Sequence, residues 1–149
     1  DRIQKFDARG EFISTLGRSG SSKGKFSRPA GVEVDSDGDV YVADTGNNRV
    51  QQFTAEGRYL DKFIGDATLS KSGKTYILAN FKTLRLREMT TLEPAKRLRA
   101  PASVKLDDQG RLYITDYRSH RVQVYQKEAY PLGAHEIMEE LRSPTLTTT

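Results

Sequence analysis

The sequence predicts an all-β chain built from repeated units, because it combines an internal repeat, alternating apolar and polar residues, and regularly spaced turn residues. Residues 29–35 (PAGVEVD) return without a gap as residues 101–107 (PASVKLD), 72 positions later. Structural repeats of about 20 to 50 residues are typical of arrays in which each unit packs on its neighbours. A unit of 36 residues, half of this spacing, is therefore predicted.

The clearest unit covers residues 29–64 and contains four predicted strands. Apolar residues alternate with polar ones near 31–34, 40–44, 49–54 and 59–64. Turn residues separate these stretches, and their glycines and asparagines accept the positive φ that hairpin turns require. Four antiparallel strands in each unit predict the blades of a β-propeller.

The same period divides the rest of the chain. Residues 101–126 are predicted to form a second blade, and residues 65–100 a degenerate one in which 76–80 (YILAN) occupies a strand position. A partial blade is predicted at 1–28, because residues 1–6 (DRIQKF) resemble 48–53 (NRVQQF). The tail, 127–149, is predicted to lie outside the blades; it contains a short amphipathic helix over 134–142 and ends in a loose segment or a docking strand.

The stretches 29–32 (PAGV) and 41–50 (YVADTGNNRV) closely resemble the NHL repeat family of β-propellers. This resemblance covers residues 1 to about 126 and implies a ring of usually six blades around a central channel. The chain supplies only about three to four blades, and stacked repeats need neighbours on both sides. We therefore expect the remaining blades to come from further sequence or from a second chain.

Composition excludes several kinds of site. The chain has no cysteine, which rules out disulfides, thiolate metal sites and cysteine nucleophiles, and its two histidines are too few for a histidine cluster. The turn 35–39 (DSDGD) has calcium-like carboxylate spacing, but the bidentate glutamate of an EF-hand is missing and the later copy places Arg111 there. A solvated β-turn is the preferred interpretation, and neither a metal nor a cofactor is predicted.

Two charged pairs recur with the repeat. Asp44 and Arg49 flank a turn in one copy, and Asp116 and Arg121 flank the equivalent turn in the other. An active site is usually unique, whereas a structural device recurs in every repeat. The pairs are therefore interpreted as structural ion pairs or turn-capping carboxylates.

Alternating strand direction sorts the loops of each blade onto two opposite faces. The face with the second-to-third-strand turns and the blade connections is predicted to carry Arg18, Lys23, Lys25, Arg28, Lys82, Lys96, Arg97, Arg99, Arg118 and His120, against Glu93. The other face carries Asp35, Asp37, Asp39, Glu56, Asp107 and Asp108, diluted by Lys71, Lys74 and Arg111. The net charge of +4 is thus concentrated on one face, which favours an anionic ligand.

A non-catalytic binding or scaffold module is the function that these observations favour, with a protein or another ligand on the basic face. The family resemblance also implies single-stranded RNA as an alternative ligand, and Tyr117, Phe26 and Phe81 are the aromatic residues placed to stack on bases. A metal-dependent lyase, known among similar propellers, is the third interpretation. It needs histidines at the channel mouth, and His120 alone falls short, so missing blades would have to supply the ligands.

Overall fold

The computed structural model describes residues 1–67, 79–80 and 93–126. These residues form three antiparallel sheets, as predicted for an all-β propeller segment. The nine strands are β1 (Ile3–Phe6) and β2 (Phe12–Leu16) in the first sheet, β3 (Pro29–Val34), β4 (Val40–Asp44), β5 (Arg49–Phe53) and β6 (Tyr59–Phe63) in the second, and β7 (Pro101–Leu106), β8 (Arg111–Asp116) and β9 (Arg121–Gln126) in the third. A four-residue helix, Glu93–Lys96, precedes β7.

The first hairpin of each complete repeat is closed by an aspartate turn. Asp35 accepts hydrogen bonds from the backbone N–H groups of Asp37 and Asp39, and Asp107 does the same for the residues two and four positions after it. Gly38 lies at φ 87°, a backbone angle that residues with a Cβ atom rarely adopt. The four predicted strands of residues 29–64 are confirmed to within about two residues at each end.

The second and third strands of each repeat are joined by a short 3₁₀ turn, Thr45–Asn47 or Tyr117–Ser119. Each turn ends at a residue in the left-handed region, Asn48 at φ 54° and His120 at φ 51°. Asparagine accepts this conformation more readily than most side chains do.

Apolar clusters fill both spaces between the sheets. Between the first and second sheets, Phe26, Val42 and Phe53 are buried, and Ile3, Leu16, Val40 and Tyr59 pack against them. Between the second and third sheets the buried residues are Tyr41, Ala43, Val50, Leu98, Val104, Leu112 and Ile114. The sheets therefore stack face to face, as blades do.

The second and third sheets are direct neighbours in space. Strand β3 lies against β7, and Lys105 Nζ is 2.8 Å from Glu33 Oε1. Thr45 Oγ1 donates to Pro101 O at 2.6 Å. These contacts place the second and third sheets side by side. The degenerate blade predicted over residues 65–100 falls mostly outside the described residues, so it stays a prediction.

Two equivalent hydrogen bonds show that one connection between sheets is longer than the other. The Asp1 carboxylate accepts from Arg28 N at 2.7 Å, across 27 positions, and the Asn48 amide oxygen accepts from Ala100 N at 2.8 Å, across 52 positions. Subtracting 27 from 52 leaves 25 additional residues in the second connection. Ala79, predicted to lie in a strand, is helical. The remainder of that predicted copy, 68–78 and 81–92, and the tail, 127–149, lie outside the described residues.

The partial first sheet leaves part of its neighbour uncovered. The described residues of this sheet include no counterparts of β3 and β4, so Val32 is 47% exposed whereas its equivalent Val104 is only 5% exposed. A groove of about 440 Å³ lies there, lined by residues of β1 to β4. Among the described residues, no helix has the length and apolar character required to cross a membrane.

Candidate binding surface

A buried carboxylate organises the turn side of the second sheet. Asp44 is fully buried and accepts hydrogen bonds from Arg49 Nε at 2.8 Å, Gln51 Nε2 at 3.0 Å and Asn47 Nδ2 at 2.9 Å. Its other oxygen accepts from Ser27 N at 2.8 Å. A buried charge is tolerated only when it is paired and hydrogen-bonded, and Asp44 meets both conditions.

The third sheet repeats this arrangement with fewer donors. Asp116 is also fully buried and accepts from Arg121 Nε at 2.7 Å, Gln123 Nε2 at 3.1 Å and Arg99 N at 2.6 Å. Ser119 stands where Asn47 stands in the second sheet, and the structure gives it no bond to the carboxylate. Both aspartate–arginine pairs named by the sequence thus form ion pairs, while the glutamines were missed. The sequence Arg-Val-Gln occurs in both repeats, and this repetition is the signal that could have revealed the two glutamines.

Each arginine also holds the preceding connection in place. Arg49 Nη2 donates to the carbonyl oxygens of Ser22 and Lys25 at 2.9 Å, and Arg121 Nη2 donates to Arg97 O at 2.9 Å. Charged donors make stronger hydrogen bonds than neutral ones. The backbone of both connections is therefore fixed, and their side chains are presented from a rigid base.

The connections and the 3₁₀ turns together form one surface, here called the basic rim: residues 17–28, 45–48, 93–100 and 117–120. Gly46 N donates to Ser27 O at 2.8 Å, and Arg118 N donates to Arg99 O at 3.0 Å, so each turn contacts its connection. The Asn48–Ala100 hydrogen bond joins the two halves. The basic rim thus runs without interruption across the second and third sheets.

The predicted binding residues that the structure describes lie on the basic rim. Those exposed to solvent are Arg18, Lys23, Arg28, Arg97, Arg99, Tyr117, Arg118 and His120, while Lys25 is half-buried. Lys23 Nζ lies 5.3 Å from the centroid of the Tyr59 ring, and Arg97 Nη1 donates to Gly65 O. Arg99 and Arg118 form no ion pair with any described residue.

The aromatic residues of this surface differ from the prediction. Phe26 is fully buried and packs edge-on against Phe53 at 5.7 Å between ring centroids, so the prediction that it stacks on bases is wrong. Tyr117 is 69% exposed, and Phe81 and Lys82 lie outside the described residues. Tyr117 is therefore the one aromatic side chain in the described part of the basic rim that is accessible to a ligand.

The opposite rim is acidic and its carboxylates are engaged in turns. Hydrogen bonds lower the pKa of Asp107 to about 2, chiefly the bond from Arg111 N, with further bonds from the Arg111 side chain, Gln109 N and the Tyr113 hydroxyl. The described residues contain no group of three or more His, Asp or Glu side chains placed to hold a metal ion.

Comparison with known families identifies the repeats. A family model described as NHL repeat matches residues 26–53 and 98–125, which are the segments that contain the two aspartate–arginine pairs. The chain is an NHL-repeat protein. Each NHL match begins one residue before the connection residue whose backbone N–H the buried aspartate binds, and it ends in the third strand of its sheet.

Curated relatives of the NHL-repeat chain are much longer proteins. The E3 ubiquitin-protein ligase TRIM32 of Homo sapiens is 31% identical over 124 residues, which is 83% of this chain and 17% of the relative. Protein brain tumor of Drosophila melanogaster is 26% identical over 131 residues, covering 75% of this chain and 13% of the relative. Protein lin-41 of Caenorhabditis elegans is 48% identical over 50 residues. The chain thus spans less than a fifth of these relatives.

Solved structures also resemble the NHL-repeat chain. A putative phosphatase from Bacteroides thetaiotaomicron is 18% identical, with a TM-score of 0.49 over 85% of this chain and 30% of that one. A streptogramin B lyase is 16% identical, with a TM-score of 0.45 over 84% of this chain and 33% of that one.

Proposed function

We propose that the chain is a non-catalytic binding module whose basic rim receives an acidic segment of a partner protein. The observation that carries this proposal is the separation of charge between two rigid rims. Exposed arginines and lysines lie on one rim, whereas the other carries the aspartates of the hairpin turns. A surface with one sign of charge attracts ligands of the opposite sign and speeds their association.

The rigidity of the basic rim supports a binding role. Because Asp44 and Asp116 fix the connections through backbone hydrogen bonds, a ligand does not have to order these loops when it binds. We also propose that the functional blades are 1–28, 29–64 and 101–126, since each places its loops on this same surface.

A protein ligand is favoured over RNA because of the aromatic residues. Base stacking supplies much of the affinity for single-stranded nucleic acids. Tyr117 alone among the described residues of the basic rim is an exposed aromatic side chain, and Phe26 is committed to the core. The described residues also give the lyase interpretation no histidine cluster, so catalysis is not proposed.

The test uses the double variant Arg99→Glu plus Arg118→Glu, whose side chains are exposed and make no described ion pair. The matched control is Arg58→Glu plus Lys62→Glu, which changes the net charge equally away from the basic rim. Binding of a fluorescent Asp/Glu-rich peptide is measured by anisotropy at low and physiological salt. The rim variant is expected to weaken binding at least about tenfold, which corresponds to about 1.4 kcal/mol.

The control variant should bind the acidic peptide nearly as well as wild type. Equal losses in both variants would show that net charge, not the basic rim, attracts the peptide. If a single-stranded oligonucleotide binds and the acidic peptide does not, with binding lost in the rim variant and steep salt dependence, the RNA interpretation replaces this proposal.

A further inference from the structure

The third sheet carries two arginines on the basic rim that the repeat itself does not require. Arg99 and Arg118 occupy the positions that Ser27 and Gly46 occupy in the second sheet, 72 positions earlier. In the second sheet Gly46 N donates to Ser27 O at 2.8 Å, and the same bond, from Arg118 N to Arg99 O, is 3.0 Å long in the third. The fold therefore brings these two positions together in both sheets, but only the third sheet places a guanidinium group on each.

Neither arginine holds the fold together through its side chain. Both side chains are exposed, and neither forms a hydrogen bond or an ion pair with a described residue. The Asp116 carboxylate, which accepts from Arg99 N, is fully buried and is balanced by Arg121 at 2.7 Å. Arg99 and Arg118 thus differ from Arg49 and Arg121, whose guanidinium groups are bound to buried carboxylates.

The exposure of these two positions does not depend on where the described residues end. The second sheet has a neighbouring sheet on either side, and its equivalents Ser27 and Gly46 are still partly exposed. In the same turn it is Thr45 that bonds to the third sheet. A further sheet after the third is therefore expected to leave Arg99 and Arg118 open to solvent.

Two arginines on adjacent, hydrogen-bonded backbone form a site for a doubly charged anion. Like charges close together repel each other, and one carboxylate balances only one of them. A phosphate monoester carries a charge of about −1.5 to −2 at pH 7 and has three acceptor oxygens. Guanidinium groups bind such oxygens through two parallel hydrogen bonds, and arginine clusters recognise phosphorylated peptides in this way. The pair therefore matches a phosphorylated side chain better than an aspartate or a glutamate.

We propose that Arg99 and Arg118 bind a phosphoserine within the acidic segment of the partner protein. This rests on the proposed function of the basic rim and adds the chemical group that the rim recognises. Asp116 holds Arg99 N at 2.6 Å, so the backbone that carries the pair is in place before the ligand arrives. The other exposed cations of the basic rim attract the acidic residues that flank the phosphoserine.

The experiment compares three fluorescent peptides of one Asp/Glu-rich sequence that carry serine, glutamate or phosphoserine at the central position. Affinities are measured by anisotropy at physiological salt. Wild type is expected to bind the phosphoserine peptide at least about tenfold more tightly than the glutamate peptide, a difference that one additional charged hydrogen bond can supply.

The variant Arg99→Gln plus Arg118→Gln removes the pair, and circular dichroism should show an unchanged fold because both side chains are exposed. Its preference for phosphoserine over glutamate is expected to fall below about threefold. The matched control, Arg9→Gln plus Arg58→Gln, removes two exposed arginines outside the basic rim and changes the net charge equally. This control should keep the preference of wild type.

The outcomes separate this proposal from the proposed function. If wild type binds the glutamate peptide but prefers phosphoserine by less than about tenfold, the phosphoserine site is refuted and the acidic ligand stands. A preference above about threefold in Arg99→Gln plus Arg118→Gln, or a control that loses its preference, would also overturn the proposal. Failure of all three peptides to bind would overturn both. If a single-stranded oligonucleotide displaces the phosphoserine peptide and binds more tightly, the pair is a site for nucleic-acid phosphates and the proposal is wrong.

Discussion

Replacing Asp44 by alanine is expected to destabilise the protein by about 3–5 kcal/mol, the usual cost of breaking a buried ion pair by removing one partner. The change leaves the buried Arg49 guanidinium without its counter-charge and Ser27 N without an acceptor. The same change at Asp116 should cost less, about 2 kcal/mol. The side chain of its partner, Arg121, is 29% exposed, whereas that of Arg49 is 9% exposed, so water can solvate the orphaned Arg121 charge.

Urea denaturation followed by far-ultraviolet circular dichroism measures both effects, and Asp108→Ala serves as the control. Asp108 is exposed, and its replacement should change the free energy of unfolding by less than about 0.5 kcal/mol. The double replacement of Asp44 and Arg49 by alanine should cost less than the sum of the two single changes. If Asp44→Ala lowers the free energy of unfolding by less than about 1 kcal/mol, or if Asp116→Ala lowers it by more than Asp44→Ala does, the reasoning is refuted.

Three further predictions concern acid stability, the long connection and the core. The pKa of Asp107 in the folded state is about 2, below its ordinary value of 3.8, so the ionised Asp107 stabilises the fold fully above about pH 4 and this stabilisation is lost as the pH falls toward 2. Asp107→Asn should therefore flatten the dependence of the urea midpoint on pH between 4 and 2. A slope equal to that of wild type would contradict this prediction. Replacing residues 68–92 by a short glycine–serine linker should preserve the fold, since Ala67 N lies 3.2 Å from Lys96 O and the two ends of the replaced segment are therefore close together. Loss of the cooperative unfolding transition in this variant would contradict the prediction. Phe26→Ala should cost about 3–5 kcal/mol whereas Tyr117→Ala should cost almost nothing, and thermal unfolding that ranked them in the opposite order would disprove the assignment of Phe26 to the core.

The strands could be predicted from sequence because the signals that determine them are local. Alternation in 40–44 and 49–53 and the turn residues between them fix a hairpin without knowledge of the rest of the chain. The division of the 72-position spacing into two units of 36 stays a prediction. Asp1 and Asn48 lie 47 positions apart, and the connection from Asn48 to Ala100 is 25 residues longer than the one from Asp1 to Arg28. A short apolar stretch such as 76–80 fits a strand or a helix equally well, so the sequence could not decide this division.

The basic rim could be predicted for a similar reason, because strand direction alone determines on which side a turn lies. The role of Phe26 could not be predicted in this way. Its burial depends on the connection folding back, with Phe26 N donating to Arg18 O at 2.8 Å and Ser27 N held by Asp44. These contacts join residues that are distant in sequence, and no local pattern reports them.

The central claim, that residues 29–64 and 101–126 form adjacent blades, can be tested on the unmodified protein by zero-length carbodiimide cross-linking. The reagent joins a carboxylate to an amine only when the two are in direct contact, as Glu33 Oε1 and Lys105 Nζ are at 2.8 Å. Mass spectrometry of the digested monomer is expected to find the peptides containing these residues linked and lighter by one water molecule. If the carbodiimide modifies the Glu33 carboxylate of the folded monomer and this linkage still does not form, the two blades are not neighbours and the central claim fails.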